Sequence, residues 1–453
     1  MFKKIILAAA LMVGALAYGF RPQPQLGNDK YQYPHHINIA WESAPATSQS
    51  VNWRTHELQK ESFVEYLEAT ASPFFADQVQ RIRAESDAHP ADDGVWNYHS
   101  VNITGLQPNT LYSYRVGNGN FWSEWSEFRT ASGDPEETFS FLYFGDVQRD
   151  IFSLGSRTIR QAVLAQPDAK FLLFGGDLVH RGGLNKENWN EFFPTGGWIF
   201  QNYPMLSTPG NHEHLNAKSG IDMSEHWYYN FTFPRNGPEG HEEETFYVDY
   251  NNIRVISLNL NRYRYPEDRA AILAWTEERL KEFKGDWVFI THHHAMDASA
   301  RNRKPGIRFP EFKALYEKYQ VPLVLTGHEH LYARGRIDHP SPMYVVSVAG
   351  PFQNAIQFGD WIERAGTSLQ LYQEIEVSPE AVHYVAKTVV GEVYDEFTIS
   401  RDAGGDLQYT VHPDLHAESL LPPASFEERY DAELVESWDA DLKNYLSKKS
   451  TDK

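Results

Sequence analysis

Five short polar blocks constrain the fold of this chain most, because each comes directly after an apolar run or a proline turn. They are Gly145-Asp146-Val147-Gln148, Gly176-Asp177-Leu178-Val179-His180, Gly210-Asn211-His212-Glu213, Thr291-His292-His293-His294 and Gly327-His328-Glu329-His330. In open α/β sheets, functional sites form at the carboxyl ends of strands. The pattern therefore predicts an α/β domain in which the five blocks meet at one rim.

Residues 138–412 show the alternation that such a domain requires. Dense apolar runs, such as Phe139 to Phe144 and Val321 to Leu325, are typical of strands buried on both faces. Between the runs, the spacing predicts helices over 157–165, 269–283 and 310–319. Strands alternating with helices predict an α/β domain.

A different pattern precedes this domain. Residues 34–133 carry short segments with period-two alternation, separated by turn residues, which predicts an all-β sandwich. Within it, a polar insertion is predicted to be partly helical, over 75–88. The Ser132–Pro135 link marks the domain boundary.

Residues 422–448 read as one amphipathic helix. Ser425 and Glu428 form a capping-box pattern, and apolar residues then recur every three or four positions. We expect this helix to pack on the main body, with partner binding as the alternative.

Composition excludes several functions. The 453 residues include no cysteine, so disulfides, thiolate metal sites and cysteine nucleophiles are ruled out. The net charge is −20, which repels nucleic acid and anionic membrane. Neither is expected as a partner, and the oligomeric state is left open.

The first 20 residues resemble a signal peptide. Lys3 and Lys4 precede an apolar stretch, and Ala15-Leu16-Ala17 gives an A-x-A cleavage pattern. The apolar run is shorter than the ~20 residues of a membrane span. We expect export to a periplasm or the medium, with an N-terminal anchor helix as the alternative.

Together the five blocks supply two aspartates, an asparagine and several histidines. Carboxylate, amide and imidazole groups are hard or borderline ligands. The ordered set therefore indicates a site for a pair of divalent metal ions.

The ordered set also resembles a known family, the calcineurin-like metallophosphoesterases and, among them, the purple acid phosphatases. Gly327-His328-Glu329-His330-Leu331-Tyr332-Ala333-Arg334 is similar to their Gly-His-x-His-x-Tyr-x-Arg signature. The segments around Val51–Thr55 and Leu106–Tyr114 resemble the fibronectin-III-like domain that precedes these phosphatases. The match runs from about residue 34 to about residue 400, and it implies that the α/β domain of residues 138–412 consists of two packed mixed sheets flanked by helices.

The resemblance implies roles for individual residues. Asp177 would bridge two metal ions. The first site would also contain Asp146 and His330, and the second Asn211, His292 and His328. His293 is the alternative to His292, given an uncertainty of one residue in the motif register. His212 would be an outer-sphere group that holds phosphate or protonates the leaving oxygen.

One departure from the family concerns His180. Purple enzymes have a tyrosine at this position, whose phenolate holds ferric iron, and other superfamily members have a histidine where this chain has Gln148. We predict that His180 serves as a metal ligand in the first site; the alternative is a hydrogen bond to the loop at 181–183. Without the phenolate, both ions should be divalent, with Fe, Zn and Mn left open, and the protein colourless.

Another departure concerns the general acid. The plant-type enzymes carry a further histidine about ten residues after the His292 position, where this chain reads Ala300-Arg301-Asn302-Arg303. The acid role then falls more heavily on His212. Arg301 and Arg303 are candidates for binding a second phosphate or an acidic substrate, or else belong to a solvated loop.

The resemblance implies an exported dinuclear-metal phosphohydrolase acting on small phosphate monoesters. A hydroxide bridging the metals would attack phosphorus, and His212 would assist the leaving group. The alternatives are a phosphodiesterase or nucleotide hydrolase of the same superfamily and, in another class, a non-catalytic metal-binding surface protein.

Overall fold

The structure, a computed structural model, describes residues 33–451 with gaps. The gaps are 57–60, 76, 92–93, 182–186, 217, 219–220, 339–341 and 414. The predicted signal segment, residues 1–20, therefore lies outside the described residues.

The N-terminal region is the predicted β-sandwich. In the described part of the chain, its strands form two four-stranded sheets, ordered β1-β2-β6-β5 and β4-β3-β7-β8. Trp53, Tyr114 and Phe128 are buried between them. The strands are β1 (His35–Ala40), β2 (Ser48–His56), β3 (Phe63–Glu68), β4 (Gln80–Arg83), β5 (Glu85–Ala91), β6 (Gly94–Thr104), β7 (Leu111–Gly117) and β8 (Ser126–Arg129).

The helix predicted over residues 75–88 is wrong. This segment forms the two edge strands β4 and β5 instead. Pairing with β3 and β6 satisfies backbone groups that a short polar helix would have had to satisfy alone.

The second domain is built on two seven-stranded mixed sheets, as far as the described residues go. The first sheet has the order β11-β10-β9-β21-β22-β23-β24 and the second β14-β15-β16-β17-β19-β18-β20; the short strands β12 and β13 pair with each other. The strands are β9 (Phe139–Phe144), β10 (Leu172–Phe174), β11 (Met205–Ser207), β12 (His214–Asn216), β13 (Ile221–Met223), β14 (Phe246–Tyr250), β15 (Ile253–Leu258), β16 (Trp287–His292), β17 (Leu323–Thr326), β18 (Tyr332–Gly335), β19 (Met343–Val346), β20 (Ile362–Gly366), β21 (Leu371–Val377), β22 (Ala381–Thr388), β23 (Val393–Arg401) and β24 (Leu407–Val411).

The two large sheets share one hydrophobic core. It contains Phe141 and Phe174 from the first sheet and Phe289 and Leu325 from the second. The rings of Phe141 and Phe289 lie 5.6 Å apart across the sheet interface. The predicted pair of packed mixed sheets is confirmed.

Helices flank the sheets, and three of them match the predicted segments closely. The three are α1, α5 and α6. The described helices are α1 (Ser156–Ala165), α2 (Glu187–Gly196), α3 (Trp198–Asn202), α4 (Glu225–Asn230), α5 (Pro266–Glu282), α6 (Pro310–Lys318), α7 (Phe426–Arg429) and α8 (Ala432–Thr451). Short π or 3₁₀ turns cover Ile151–Gly155, Asn211–Glu213 and Leu260–Arg264. None of the described helices has the length and apolar composition that a membrane crossing requires.

The sandwich is packed directly against the α/β domain. Trp41 joins the core of that domain, with its ring 5.6 Å from those of Phe171 and Tyr250. The Tyr114 hydroxyl donates a hydrogen bond to the carbonyl of Gln201 at 2.8 Å.

The C-terminal segment packs on the main body as predicted, but as two helices rather than one. Tyr430 is extended and separates α7 from α8, and Ser425 makes no side-chain capping bond. Phe426, Tyr430 and Trp438 are buried around Ala355, while Tyr445 joins the outer core of the second sheet. Burial of these aromatic rings outweighs helix continuity at Tyr430.

Candidate metal centre

The five polar blocks do meet at one rim, because the strands that precede them are parallel neighbours. Strands β9, β10 and β11 pair in parallel in the first sheet, and β16 pairs in parallel with β17 in the second. The carboxyl ends of both groups open toward the same place. Residues up to 184 positions apart in sequence, Asp146 and His330, thus lie in one cluster.

The cluster divides into two groups of ligand atoms that share one carboxylate. Asp146, Asp177 and His330 form one group, and Asp177, His293 and His328 form the other; within each group the donor atoms lie within 4.8 Å of one another. All five side chains are buried. Asp177 belongs to both groups, the position predicted for a bridging ligand.

Asn211 completes the second group. Its Oδ1 lies 3.1 Å from His293 Nε2 and 2.9 Å from His328 Nδ1. The amide oxygen therefore faces the space between the two imidazoles.

The structure corrects the choice between the two adjacent histidines: His293, not His292, faces the cluster. His292 is the last residue of β16, and successive strand residues point to opposite sides of the sheet. The His292 ring packs near Phe309 and Tyr316. Its Nδ1 lies 2.8 Å from the His294 carbonyl oxygen.

His180 is also placed differently from the prediction. Its Nδ1 lies 2.7 Å from Oε1 of Gln148, and the Gln148 Nε2 lies 2.7 Å from Asp177 Oδ2 and 3.2 Å from His330 Nε2. The Gln148 amide thus occupies the space between His180 and the first group. Gln148 stands two residues after Asp146, where other superfamily members have a histidine. That position is the sequence signal for a residue at the metal site, but sequence reasoning used it only to note the missing histidine.

The charges of the cluster fit a cation. Although burial lowers it, the carboxylates of Asp177 and Asp146 raise the pKa of His293 to about 9. Burial raises the pKa of Asp146 well above its ordinary value, and its Oδ1 has no hydrogen-bond partner among the described residues. A buried carboxyl group without a hydrogen-bond partner lies beside a carboxylate that shares an imidazolium, and a metal ion would satisfy this donor set.

The remaining imidazoles are held neutral, which is the form that binds metals. Burial lowers the pKa of His330 to about 3 and that of His328 well below its ordinary value. For Asp177, burial acts to raise the pKa, but His293 and His212 outweigh it and lower the pKa. Neutral imidazoles beside an ionised carboxylate are the protonation states of a metal site.

His212 lies beside the cluster rather than in it. Its backbone N–H donates to Asp177 Oδ1 at 3.0 Å, and its Nε2 lies 3.9 Å from Asp177 Oδ2. The side chain is 24% exposed, so its ring borders both the buried carboxylate and solvent. This is the location predicted for an outer-sphere group.

Glu213 positions the central loops, a role that sequence reasoning missed. Its Oε2 accepts hydrogen bonds from the backbone N–H of Asp177 at 2.9 Å and of Gly210 at 2.7 Å. Burial and the charge of Asp177 raise the pKa of Glu213 to about 8. A Cβ on Gly210 would lie 2.1 Å from Asp177 Oδ1, which explains the glycine.

The backbone is left-handed at three cluster residues. The φ angles are 50° at Asp177, 70° at His328 and 54° at His330. Non-glycine residues adopt this region rarely, and such conformations concentrate at functional sites.

Of the two arginines predicted to bind substrate, Arg301 does not face the cluster. It is buried against α8, donating to the Leu434 carbonyl, Ser437 Oγ and Asp441 Oδ2 at 2.7–2.8 Å. Arg303 is near the site, with its guanidinium 3.4 Å from the His328 carbonyl oxygen.

Sequence reasoning missed another cation beside the site. The Arg149 guanidinium lies 3.7 Å from the centre of the Phe352 ring, and that ring stands edge-on to His330 at 4.9 Å. Arg429 lies against the same ring at 4.4 Å. Cations therefore border the first group as well as His328.

Comparison with known proteins agrees with the fold. The profile described as "Purple acid Phosphatase, N-terminal domain" matches residues 34–130, and that described as "Calcineurin-like phosphoesterase" matches residues 139–332. The chain belongs to the calcineurin-like metallophosphoesterase superfamily, in its purple acid phosphatase-like branch. That family uses a dinuclear metal centre.

Individual relatives are distant. The protein Rv2577 of Mycobacterium tuberculosis is 24% identical over 65% of this chain and 60% of its own length. Acid phosphatase type 7 of Mus musculus is 24% identical over 71% of this chain and 76% of its own length. The chain thus spans about three fifths of the mycobacterial relative.

Solved structures share the fold. Purple acid phosphatase PPD1 from yellow lupin seeds superposes with a TM-score of 0.69 at 18% identity, covering 83% of this chain and 75% of that one. The structure of PhoD gives a TM-score of 0.62 at 12% identity, covering 94% and 100%.

Proposed function

We propose that this chain is a dinuclear-metal phosphohydrolase that acts on small phosphate monoesters. The observation that carries the proposal is the shared carboxylate of Asp177, which belongs to both groups of ligand atoms. One ion would be held by Asp146, Asp177 and His330, and the other by Asp177, Asn211, His293 and His328. The Gln148 amide, between His180 and the first group, would be able to turn its oxygen toward the first ion.

Two divalent ions supply Lewis-acid polarisation of a phosphoryl oxygen and a lowered pKa of water. The first group contains an imidazole and two carboxyl groups. The ions are proposed to be divalent because His180 stands where purple enzymes have the tyrosine whose phenolate holds ferric iron. His180, at the family's tyrosine position, makes its contact with Gln148. We expect a colourless protein for the same reason.

His212 is proposed to handle the leaving group. Its Nδ1 contacts the His180 carbonyl oxygen, which fixes the ring. Its Nε2 is then the nitrogen directed toward Asp177, beside the place where a phosphoester would sit. A proton held at Nε2 would be available to the departing oxygen.

Nearby cations favour a substrate that carries negative charge. Arg303 borders His328, and Arg149 borders His330 through Phe352. Guanidinium groups in these positions would neutralise phosphoryl oxygens and orient the ester. The chain as a whole has a net charge of −20, so an anion should bind at this local group of arginines rather than elsewhere on the surface.

The test is an assay of metal-loaded protein with nitrophenyl phosphate and bis-nitrophenyl phosphate from pH 4 to 10, with metal content measured on the same sample. We expect two ions per chain and faster hydrolysis of the monoester. Asp360→Asn, a change at a highly exposed carboxylate, serves as the matched control for variants of Asp177. Faster diester hydrolysis would favour the phosphodiesterase alternative, and bound metal without turnover would favour the non-catalytic one.

We also propose that the protein is exported. The proposal rests on Lys3, Lys4, the apolar stretch after them and Ala15-Leu16-Ala17. Mass spectrometry of the mature N-terminus tests it, with cleavage directly after Ala17 as the expected result. An intact N-terminus on membrane-bound protein would favour the anchor alternative.

A further inference from the structure

Another trio of side chains of metal-ligating type lies half-buried on the last three strands of the first sheet, on the face opposite its core. His383 is on β22, Glu396 is on β23 and His412 directly follows β24. One donor atom from each residue lies within 4.8 Å of the other two. We propose that His383, Glu396 and His412 bind one divalent transition-metal ion such as Zn²⁺, in a site separate from the candidate centre.

Strand register brings the three residues together. His383 pairs with Thr398 across β22 and β23, and the backbone N–H of His412 donates to the Glu396 carbonyl at 3.0 Å. Alternate residues of a strand share one face, so Glu396 and Thr398 point the same way as His383. The intervening Phe397 is fully buried in the core. Glu396 and Thr398, on the other face of the strand, therefore point away from the core.

The spacing of the donor atoms suits a small cation. His383 Nε2 lies 2.8 Å from Glu396 Oε1, and His412 Nδ1 lies 4.0 Å from the same oxygen. Tetrahedral zinc with ligand bonds of about 2.0–2.2 Å requires donor atoms roughly 3.3–3.6 Å apart, between these two values. The side chains are 26–39% exposed, so they are not locked in place by surrounding protein.

A second feature indicates a ligand rather than a plain ion pair. The Thr398 Oγ1 lies 3.1 Å from His412 Nε2, leaving Nδ1 as the nitrogen that faces Glu396. Histidines that bind metals usually have their other ring nitrogen held by a hydrogen bond in this manner. The Thr398 hydroxyl thus holds the His412 ring with Nδ1 toward Glu396 Oε1, 4.0 Å away, as a ligand nitrogen would need to be.

The surroundings add negative charge to the trio. Glu376 on β21 is the cross-strand partner of His383 and is exposed. Three protein ligands with one open position are the arrangement seen when zinc also binds solvent. Because β24 ends the strand order, a bound ion would fasten this edge strand to β22 and β23.

The proposal is independent of the proposed function, and its test does not use activity. Desalted protein that retains the metals of its centre is titrated with Zn²⁺ in competition with a chromophoric chelator. We expect the wild type to bind one more equivalent than His383→Ala/His412→Ala. Glu396→Gln should weaken this equivalent at least tenfold, and Thr398→Val by about tenfold or more.

Two substitutions serve as matched controls: His416→Ala removes an exposed histidine outside the trio, and Thr410→Val changes the cross-strand partner of Thr398. Both should keep the extra equivalent. Added Zn²⁺ should raise the unfolding temperature of the wild type but not of Glu396→Gln. Equal zinc stoichiometry and affinity in wild type, Glu396→Gln and Thr398→Val would overturn the proposal and leave an ion pair only.

Discussion

At the scale of single residues, Asp177 is the carboxylate that both described groups of ligand atoms share. Its Oδ2 lies 3.2 Å from His293 Nε2 and accepts from Gln148, while its Oδ1 accepts the backbone N–H of His212. Its own backbone N–H is held by Glu213. Both the charge balance and the geometry of the cluster therefore depend on this carboxylate.

The first prediction concerns metal content. Asp177→Ala should bind neither ion tightly, because it removes the only carboxylate that both described groups share. His328→Ala and His330→Ala should each weaken chiefly one ion, since each belongs to one group. Elemental analysis of purified variants measures this, with Asp360→Asn as the control. Two tightly bound ions in Asp177→Ala would refute the shared-ligand assignment.

The second prediction concerns His212. His212→Ala keeps the backbone N–H that Asp177 Oδ1 accepts, so its metal content should match the wild type. Its rate should fall by about 10²–10⁴-fold on alkyl phosphates, which need a proton on the leaving oxygen. Nitrophenyl phosphate, with a good leaving group, should be affected much less. Equal losses on both substrates would show that His212 only binds phosphate.

At the scale of secondary-structure elements, the ends of strands decide which side chains reach the site. Strand β16 ends at His292, and its alternation directs His292 toward α6 and His293 toward Asp177. A sequence pattern locates a strand end only to within a few residues. It could therefore predict a histidine ligand here but not select which of the adjacent histidines serves.

The docking of α8 is another element-level feature, and it depends on Arg301. The guanidinium is almost completely buried and bonds to three groups on that helix, including Asp441, whose side chain is 43% exposed. For Arg301, a basic residue in a basic loop, the sequence suggests either substrate binding or a solvated loop. Its actual partner is 140 positions away in sequence and could not be inferred from the loop.

The third prediction follows from this contact. Arg301→Ala should lower the free energy of unfolding by roughly 1–3 kcal/mol, because the hydrogen bonds to α8 are lost while Asp441 remains hydrated. Hydrogen exchange should rise over residues 432–451. Lys448→Ala is the control. Lys448 is on the same helix and forms an exposed ion pair with Asp360, so its loss should cost less than about 1 kcal/mol. Equal effects of the two changes would contradict the anchoring role.

At the scale of the whole molecule, the centre couples metal binding to the stability of the domain. Its ligands come from loops after strands of both large sheets, so bound ions would join the two sheets at their carboxyl ends. Ions that bind only the folded state stabilise it by mass action. Chelation should therefore lower the unfolding temperature of the entire α/β domain.

The fourth prediction is a pH dependence in metal-free protein. The pKa of His293 is about 9 in the folded state and near 6.5 in the unfolded chain, so protonated His293 stabilises the fold fully below pH 6.5. This contribution, on the order of 3 kcal/mol, should be lost as the pH rises from 6.5 through 9. Denaturant unfolding at several pH values measures it.

Metal-loaded protein is the control for this experiment. In it His293 would be neutral and bound, so the fall in stability that His293 causes should be absent over the same pH window. The raised pKa of Glu213, about 8, acts in the same direction as that of His293 in metal-free protein. A metal-free protein equally stable at pH 6 and pH 9 would contradict the charge assignment.

The sequence by itself determined the types of the two domains and the meeting of the five polar blocks at one rim of the α/β domain. Apolar runs and turn residues are local, and parallel strands bring their carboxyl ends together wherever they pair. Only the tertiary structure decided that His293 replaces His292, that Gln148 separates His180 from the ligands, and that Arg301 serves α8. Each of these depends on which distant group occupies the space beside a side chain, and local periodicity carries no information about that.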